Sequence, residues 1–269
     1  MSQTIFITGS STGLGRAAAV LFASRGWNVF ASMRQPGKEV ELANTPGVTL
    51  LPLDVTDREQ IKAAADEAIR HGVDVLFNNA GYGIFGPTEG VSDDQLTRQI
   101  DTNLLGVIRT TQAFLPHFRE RGSGLIITTT SIGGLVTFPL NSVYHATKWA
   151  LEGWSESLAF ELEPFNIRVK TISPGGIKTD FASRSLDMAL HPAYAAIIEK
   201  VASVFQTPER RANQSTAEQI AEVVFEAVTD GKDQLRYLAG ADAKAAYAQR
   251  LRVGDEAFRK GIAATFLGR

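Results

Sequence analysis

Within its first two dozen residues the chain passes from a short apolar segment through a glycine-rich turn into an alanine-rich segment. Thr4–Thr8 has the composition of a buried strand. It leads into Gly9-Ser10-Ser11-Thr12-Gly13-Leu14-Gly15 and then a helical pattern over 16–23. Glycines allow a backbone to approach a pyrophosphate closely, and the following helix offers unpaired N–H groups and a positive dipole end. The order predicts a dinucleotide-binding turn, although a glycine-rich turn without a ligand is the alternative.

Further apolar runs alternate with helical segments along the chain. The predicted strands after the first are Trp27–Arg34, Val48–Val55, Val73–Phe77, Leu125–Ser131, Phe165–Ile172 and Gln234–Ala239. Capping-box pairs predict three helix starts, at Thr56 with Glu59, at Ser92 with Gln95 and at Ser215 with Glu218. Alternating strands and helices predict an α/β fold of Rossmann type, with a doubly wound parallel sheet of about seven strands in a single domain.

The end of the second predicted strand bears on the choice of dinucleotide. In an NAD-specific site an acidic side chain there holds the ribose 2′-hydroxyl. The residues present are Met33 and Arg34, followed by Lys38, and none is a carboxylate. A cation suits a 2′-phosphate, so NADP(H) is favoured over NAD(H), unless Arg34 is only a solvated loop charge. Asp54 ends the third strand, where it would either receive the adenine amino group or join the loop.

A second group of polar residues lies in the middle of the chain. Tyr144 and Lys148 are four residues apart in a predicted helix over Tyr144–Leu162, so they share one face. A nearby cation lowers the pKa of a phenol toward the range useful for proton transfer. Ser131 ends the fifth predicted strand, at the sheet edge where ligands bind. Asn103 lies within a predicted helix over 93–118 and needs hydrogen-bond partners if it is buried. Taken singly, each also fits an ordinary structural role.

Composition narrows the function classes. The net charge of −2 gives no reason to expect a nucleic-acid partner or an anionic membrane surface. The chain has no cysteine, which excludes thiolate catalysis and cysteine-based metal sites. Its four histidines have no metal-ligand spacing, so no metal site is expected. The first residues contain neither a basic segment nor a long apolar one, which favours a cytoplasmic protein without a membrane span.

Taken together, these motifs resemble those of the short-chain dehydrogenase/reductase family in its short, single-domain form. The resemblance covers Thr4 to Asp180 and extends more loosely to about Ala239. Its motifs, in order, are Thr8-Gly9-x-x-x-Gly13-x-Gly15, Asp54, Asn78-Asn79-Ala80-Gly81, Asn103, Ser131, Tyr144-x-x-x-Lys148 and Pro174-Gly175. Any one of these motifs is common, whereas the full ordered set is specific.

The resemblance implies roles for individual residues. The catalytic four would be Asn103, Ser131, Tyr144 and Lys148. Tyr144 would exchange a proton with the substrate oxygen, Ser131 would polarise the carbonyl, and Lys148 would bind the nicotinamide ribose and lower the pKa of Tyr144. Asn103 would hold a water that connects Lys148 to solvent. The implied cofactor contacts are Gly9, Ser11, Gly13, Leu14 and Gly15 on the phosphate side, Arg34 and Asp54, Asn79 and Gly81 on the adenosine side, Tyr144 and Lys148, and Gly175, Ile177 and Thr179 over the nicotinamide.

The last third resembles hydroxysteroid- and retinol-dehydrogenase-like members. Residues 1–240 would form the catalytic domain, in which 181–214 would cover an apolar substrate as a lid. Residues 241–269 are a charged, mostly helical extension, unlike the short glycine-containing end of many tetrameric relatives. That difference favours a homodimer through the helices carrying Asn103 and Tyr144, which a tetramer in light scattering would contradict.

The sequence thus predicts an NADP(H)-dependent oxidoreductase that transfers a hydride between nicotinamide and a carbonyl or secondary alcohol of a fairly apolar small molecule. Tyr144 is its expected general acid or base, as in a carbonyl reductase or alcohol dehydrogenase. The alternative is a non-catalytic, dinucleotide-binding regulatory protein on the same fold. A sugar-nucleotide epimerase or dehydratase fits less well, because the turn spacing differs and the C-terminal part is too short for a nucleotide-sugar domain.

Overall fold

A parallel sheet lies at the centre of the computed structural model, which describes residues 2–178 and 186–269. The strands are β1 (Thr4–Thr8), β2 (Asn28–Met33), β3 (Val48–Pro52), β4 (Val75–Asn78), β5 (Gly83–Phe85), β6 (Gly124–Thr129), β7 (Ile167–Pro174), β8 (Ile177–Lys178), β9 (Leu186–Met188), β10 (Ser215–Thr216) and β11 (Arg236–Ala239). Seven form the central sheet in the order β11-β7-β6-β4-β1-β2-β3, and every neighbouring pair is parallel. The predicted seven-stranded, doubly wound sheet is confirmed.

Helices cover both faces of this sheet. They are α1 (Gly13–Ser24), α2 (Arg58–Ile69), α3 (Asp93–Ile100), α4 (Gly106–Arg121), α5 (Ser142–Leu162), α6 (Ala195–Phe205), α7 (Pro208–Ala212), α8 (Ala217–Thr229), α9 (Ala241–Val253) and α10 (Asp255–Leu267). α1 and α8 pack on one face, and α2, α4 and α5 pack on the other. Because both faces are covered, β1 and β4 are buried along their whole length and have nearly continuous apolar sequences.

The strand order places a crevice beside β1. The chain runs outward through β2 to β3 at one edge, and then crosses back to β4 on the other side of β1. The connections on either side of this point diverge, which opens a crevice at the carboxyl ends of β1 and β4. The predicted site residues at strand ends therefore face one edge of the sheet.

Helix starts differ in detail from the sequence patterns. The predicted capping box at Ser92 and Gln95 is present. The cap of α2 is Asp57 and not Thr56, because the Asp57 carboxylate accepts the N–H groups of Glu59 and Gln60. The cap of α8 is Thr216 with Gln219, one residue beyond the predicted pair. In both corrected cases the neighbouring residue offers the same hydrogen bond at the required backbone geometry.

The predicted helix around Asn103 is divided into three parts. A π-helical turn over Asp101–Leu105 separates α3 from α4. A π turn inserts one extra residue into a helix and is often found at functional sites. Asn103 lies inside this turn with no exposed surface.

The C-terminal helices pack back onto the chain between β6 and α5. Ala243 and Phe258 form a cluster with Ile132, Leu135 and Val136 of that connection. Phe266 forms a second cluster with Phe85 and Val201. Among residues 2–178 and 186–269, no helix is both long and apolar enough to cross a bilayer.

A buried polar cluster links the edge strand β11 to its neighbour β7 and to the end of α8. Lys170 has 1% of its surface exposed, and its Nζ donates to Ala227 O (2.8 Å), Asp230 Oδ1 (2.9 Å) and Tyr237 Oη (3.0 Å). Tyr237 Oη in turn donates to Asp230 Oδ2 (2.6 Å). Burial acts to raise the pKa of Asp230, but the hydrogen bonds from Lys170 and Tyr237 outweigh it and hold the pKa well below its ordinary value.

We expect Asp230→Asn to destabilise the protein by about 3 kcal/mol, because it leaves the Lys170 ammonium buried without its counter-charge. The depressed carboxyl pKa stabilises the fold above the ordinary aspartate range, and this contribution is lost as the pH falls below it. The difference in unfolding free energy between wild type and variant should therefore shrink from pH 7 to pH 3. Denaturant unfolding measures it, with the exposed Asp233→Asn as control. A difference independent of pH would contradict this account.

Candidate active site at the carboxyl edge of the sheet

The glycine-rich turn after β1 forms a close-fitting cradle. Gly9 has φ +69°, a left-handed conformation that glycine adopts without strain. A Cβ on Gly15 would overlap the carbonyl oxygen of Gly9 and lie 2.5 Å from Asn79 Nδ2. The first turn of α1 contains no acidic side chain, and the Thr12 side chain makes no capping hydrogen bond. This arrangement fits a phosphate group, because the helix N-terminus presents N–H groups to it.

Hydrogen bonds between strands hold this turn in place. Thr8 Oγ1 accepts the N–H groups of Asn79 (2.9 Å) and Ala80 (3.0 Å). Asn79 Nδ2 donates to the carbonyl oxygens of Thr8 (3.1 Å) and Gly9 (3.2 Å). Asn79, predicted to line the adenosine side, thus joins β1, β4 and the turn.

The other predicted turn residues have different exposures. Ser11 is exposed, and Gly13 has φ +55° at the first position of α1. Leu14 is buried and its side chain belongs to the core, so only its backbone is available to a ligand. Gly81 is exposed, and a Cβ on it would come within 3.1 Å of Asn103 Oδ1 and 3.8 Å of Lys148 Nζ. The backbone of Gly81 thus lies next to two of the predicted site residues.

Arg34 and Asp54 follow β2 and β3, as predicted. Arg34 is exposed. Asp54 Oδ1 accepts the N–H (2.9 Å) and Oγ1–H (2.7 Å) of Thr56, so this oxygen has the loop role that the sequence left open. Arg16 was not among the predicted contacts; it follows the last glycine of the turn and pairs with Glu41 at 2.5 Å. Its place one residue after Gly15 could have marked it as a cation beside the glycine cradle.

Ser131 and Tyr144 come together at the end of β6. Ser131 precedes a short 3₁₀ turn, and its Oγ accepts the N–H of Gly133 at 2.9 Å. Burial raises the pKa of Tyr144, and a hydrogen bond with the Ser131 side chain opposes part of this rise. The net direction is opposite to the lowering expected from the sequence. Spacing showed that a cation would be near Tyr144, but it did not show how strongly burial disfavours the phenolate.

Lys148 is buried, with 5% of its surface exposed, one helical turn after Tyr144. Its Nζ lies 5.9 Å from the centre of the Tyr144 ring and donates to Thr129 O at 2.9 Å. Burial lowers the pKa of Lys148 to about 8, although the negative charge of Glu152 acts in the opposite direction. The ammonium is therefore mostly protonated at neutral pH and loses its proton at slightly alkaline pH.

Asn103 shapes the loop beside Lys148. Its Oδ1 accepts the N–H of Tyr82 (3.0 Å), and its Nδ2 donates to Tyr82 O (2.8 Å) and to Thr147 Oγ1 (3.3 Å). The side-chain amide is therefore engaged with Tyr82 and α5, as the structural alternative predicted. The expected water contact through Asn103 stays a prediction.

The turn after β7 closes the other side of the site. A Cβ on Gly175 would overlap the carboxylate of Asp242, which accepts the N–H of Gly176 at 2.7 Å. Ile177 lies in β8, paired with β10. Thr179, a predicted nicotinamide contact, lies outside the described residues. Asp242, in the first turn of α9, was not predicted, because nothing near it in sequence indicates a contact with a turn so far upstream.

Glu152 also lies at this site and was not predicted from the sequence. It is 4% exposed and accepts hydrogen bonds from Ser173 Oγ (2.9 Å) and Arg236 Nε (2.9 Å). It lies one turn after Lys148 on the same helix, so the i, i+4 spacing was a readable signal. A line of ionisable groups thus runs from half-buried Tyr144 through buried Lys148 and Glu152 to half-buried Arg236.

Two surface cavities lie away from these residues. One, of about 570 Å³, is apolar and lies between loop residues 137–142 and the exposed side of α5 near Trp149. The other, of about 410 Å³, lies at the amino-terminal edge of the sheet near Arg121 and Arg168. Ser131, Tyr144 and Lys148 line neither of them. Within the described parts of the chain, no group of three histidine or acidic side chains is suited to hold a metal ion.

We expect the unfolding free energy of wild type to rise relative to that of Lys148→Met as the pH increases from 7.5 to 10.5. The pKa of Lys148 is about 8 in the folded chain and 10.5 for an ordinary lysine, so the unfolded chain binds more protons in this interval. The full effect amounts to about 3 kcal/mol. Chemical denaturation at several pH values measures it, with the exposed Lys244→Met as control. Parallel pH profiles for wild type and Lys148→Met would refute the lowered pKa.

Known proteins share this arrangement. Residues 3–189 match the family model for short chain dehydrogenases. The chain is 37% identical to human 17-beta-hydroxysteroid dehydrogenase type 1 over 259 residues, which cover 88% of this chain and 77% of the human protein. A short-chain dehydrogenase from Streptomyces avermitilis superposes with a TM-score of 0.83 and 34% identity, over 93% of this chain and 92% of the other.

A second solved structure contains a bound dinucleotide. It is a short chain dehydrogenase from Burkholderia cenocepacia in complex with NADP, with a TM-score of 0.76 and 25% identity, covering 99% of this chain and 98% of that one. With its sheet order, glycine cradle and family match, the chain belongs to the short-chain dehydrogenase family of oxidoreductases.

Proposed function

We propose that the protein is an NADP(H)-dependent oxidoreductase that interconverts a carbonyl and a secondary alcohol on a fairly apolar small molecule. The observation that carries this proposal is the meeting of Ser131, Tyr144 and Lys148 at the sheet edge that also bears the glycine cradle. A phosphate-binding turn and a proton-transfer group at one edge are what dinucleotide-dependent hydride transfer requires.

The dinucleotide would be held along this edge. Gly9, Gly13 and Gly15 would take the pyrophosphate, and Gly81, which lies near Lys148, would let the backbone approach another part of the dinucleotide. When bound, the nicotinamide supplies or accepts the hydride at its C4 position. The protein's own groups handle the proton and the charge on the substrate oxygen.

Tyr144 would transfer the proton. Burial raises the pKa of its phenol, so Tyr144 is protonated at neutral pH, which is the state that can protonate the oxygen of a carbonyl under reduction. The Oγ of Ser131 accepts the N–H of Gly133, and its hydrogen bond with Tyr144 would place the hydroxyl beside the same substrate oxygen. In the reverse direction the phenolate of the same residue would take up the proton of the alcohol.

Lys148 would provide the adjacent positive charge. Its pKa of about 8 keeps the ammonium mostly protonated at pH 7, and Glu152 favours that charged form. A protonated ammonium near Tyr144 would stabilise the phenolate left after proton transfer. It would also donate to the ribose hydroxyls of the dinucleotide, as the family resemblance implies.

The proposed substrate class rests on the surroundings of this edge. The segment proposed as a lid contains α6. The ring centre of Phe205 on this helix lies 6.3 Å from that of Phe85 and 5.9 Å from that of Phe138. Apolar side chains thus dominate the side of the site that faces α6. The human relative at 37% identity acts, by its name, on a hydroxysteroid, which is a largely apolar alcohol.

Wild type should oxidise NADPH with at least one member of a panel of ketones and aldehydes. We expect Tyr144→Phe to lower kcat about 10²–10⁴-fold, because the variant lacks the proton donor, and to leave NADPH affinity unchanged. Absorbance of reduced nicotinamide measures turnover, and fluorescence titration measures binding. Tyr247→Phe, on α9, is the matched control. Retained turnover in Tyr144→Phe would refute its role, and NADPH binding without any wild-type turnover would favour the non-catalytic alternative.

The preference for NADP(H) is tested at Arg34. We expect Arg34→Ala to raise the KM for NADPH about tenfold and to change the KM for NADH little, because only NADPH has a 2′-phosphate to pair with the guanidinium. Steady-state kinetics with both cofactors measure this, with the exposed Arg119→Ala as control. Equal effects on the two cofactors, or a wild-type preference for NADH, would refute the assignment.

A further inference from the structure

His145 follows the proposed proton donor directly in sequence and is 5% exposed. Both of its ring nitrogens bond to the loop that connects Ser131 to α5. Nδ1 lies 2.6 Å from Gly133 O, and Nε2 accepts the N–H of Phe138 at 3.1 Å. One buried side chain thus fixes two points of the loop, 133 near its start and 138 near its end.

The two bonds define the tautomer of His145. A backbone N–H can only donate, so Nε2 must carry a lone pair, and the ring proton must be on Nδ1, where it donates to Gly133 O. The ring is then neutral. Burial lowers the pKa of His145 and so also favours the neutral ring. Because the ring is shielded from water, loss of either bond would leave a backbone group without a partner.

The first bond leads to Ser131. The peptide of Gly133 uses its carbonyl toward His145 and its N–H toward Ser131 Oγ, at 2.9 Å. A Cβ on Gly133 would lie 2.6 Å from His145 Nδ1 and 3.3 Å from Ser131 Oγ, so the three groups are in close contact. The N–H of Gly133 occupies an acceptor position of the Ser131 hydroxyl and thereby limits where its hydrogen can point. His145 therefore orients Ser131 through one peptide group.

The second bond leads to the cover of the site. The ring centre of Phe138 lies 5.9 Å from that of Phe205 on α6 and 5.8 Å from that of Phe266 on α10. Phe205 and Phe266 also contact each other, at 4.9 Å. A shift of the Phe138 backbone would therefore disturb the packing of α6 and α10.

We propose that His145 is a positioning residue with two separable functions, orienting the Ser131 hydroxyl through Gly133 and seating the cover of the substrate site through Phe138. This inference rests on the proposed function. In this proposal the hydrogen bond of Nδ1 affects the chemical step, and the hydrogen bond of Nε2 affects substrate binding. Two variants that each replace only one nitrogen can therefore separate the functions.

In His145→Asn the side-chain amide can occupy the Nδ1 position and keep the donor to Gly133 O, but it does not reach Phe138. We expect kcat within about threefold of wild type and a KM for the carbonyl substrate raised about tenfold. In His145→Gln the amide oxygen can occupy the Nε2 position and accept from Phe138, without a donor to Gly133. We expect a kcat lowered about tenfold and a nearly unchanged KM. His145→Phe should show both changes.

Controls separate positioning from general damage to the fold. NADPH affinity and the thermal midpoint should be similar in the Asn and Gln variants, and the same substitutions at the exposed His71 should leave both constants unchanged. If His145 acts through Ser131, the effects of His145→Gln and Ser131→Ala on kcat should not add in the double variant. Additive effects would overturn the link to Ser131.

Different experimental results would overturn the proposed function and the positioning role of His145. With wild-type turnover established, identical kinetics of the Asn and Gln variants, or wild-type kinetics of His145→Phe, would overturn the positioning role alone. Absence of any wild-type turnover would overturn the proposed function. The bonding itself is tested without activity by long-range ¹H–¹⁵N spectra of the labelled protein, which should show His145 as the Nδ1–H tautomer. An Nε2–H tautomer would overturn the assignment of the two nitrogens.

Discussion

The hydroxyl of Thr8 is the contact on which the geometry of the site depends. It is buried at the end of β1, where it accepts the N–H groups of Asn79 and Ala80 after β4. These bonds join the two strands at the crevice where the sheet order reverses, and Asn79 returns hydrogen bonds to the carbonyls of Thr8 and Gly9. Each backbone group left unpaired here would cost about 1–3 kcal/mol. The glycine cradle after β1 and the residues after β4 are therefore held as one unit.

Much of the fold was predictable because its determinants are local. Strands buried on both faces, such as β1 and β4, have continuous apolar sequences, and all seven central strands were located with errors confined to their ends. The motif residues at strand ends were also placed correctly at one edge, since parallel strands share their carboxyl side. The cap at Asp57 and the π turn around Asn103 were not predicted. Several side chains in these segments compete for the same backbone groups, and only the packed structure decides among them.

The charge states of the site depend on burial, which sequence spacing does not report. Tyr144 and Lys148 were expected to be neighbours, and they are. The pKa of Tyr144 is nevertheless raised, because loss of hydration disfavours the phenolate, and burial likewise lowers the pKa of Lys148 to about 8. Glu152 opposes the second shift, and its own charge is compensated by Arg236 on the edge strand. The pKa of Lys148 is thus influenced by Glu152, one helical turn away, and Glu152 is paired with Arg236, far along the chain on β11.

The chemistry and the choice of substrate are supported by different parts of the chain. The groups proposed to move the proton are held by the sheet and α5, whereas Asp242 and Phe266, both from the C-terminal helices, support the turn after β7 and the aromatic contacts of Phe138. His145 connects the two parts, because its ring bonds to a peptide that touches Ser131 and to the backbone of Phe138. A substitution in α6 or α10 would therefore reach Ser131 through Phe138, His145 and Gly133, whereas Tyr144 and Lys148 are held by α5 itself. Because the sheet supports one part and the C-terminal helices support the other, the same fold can present different surroundings to the same edge of the sheet.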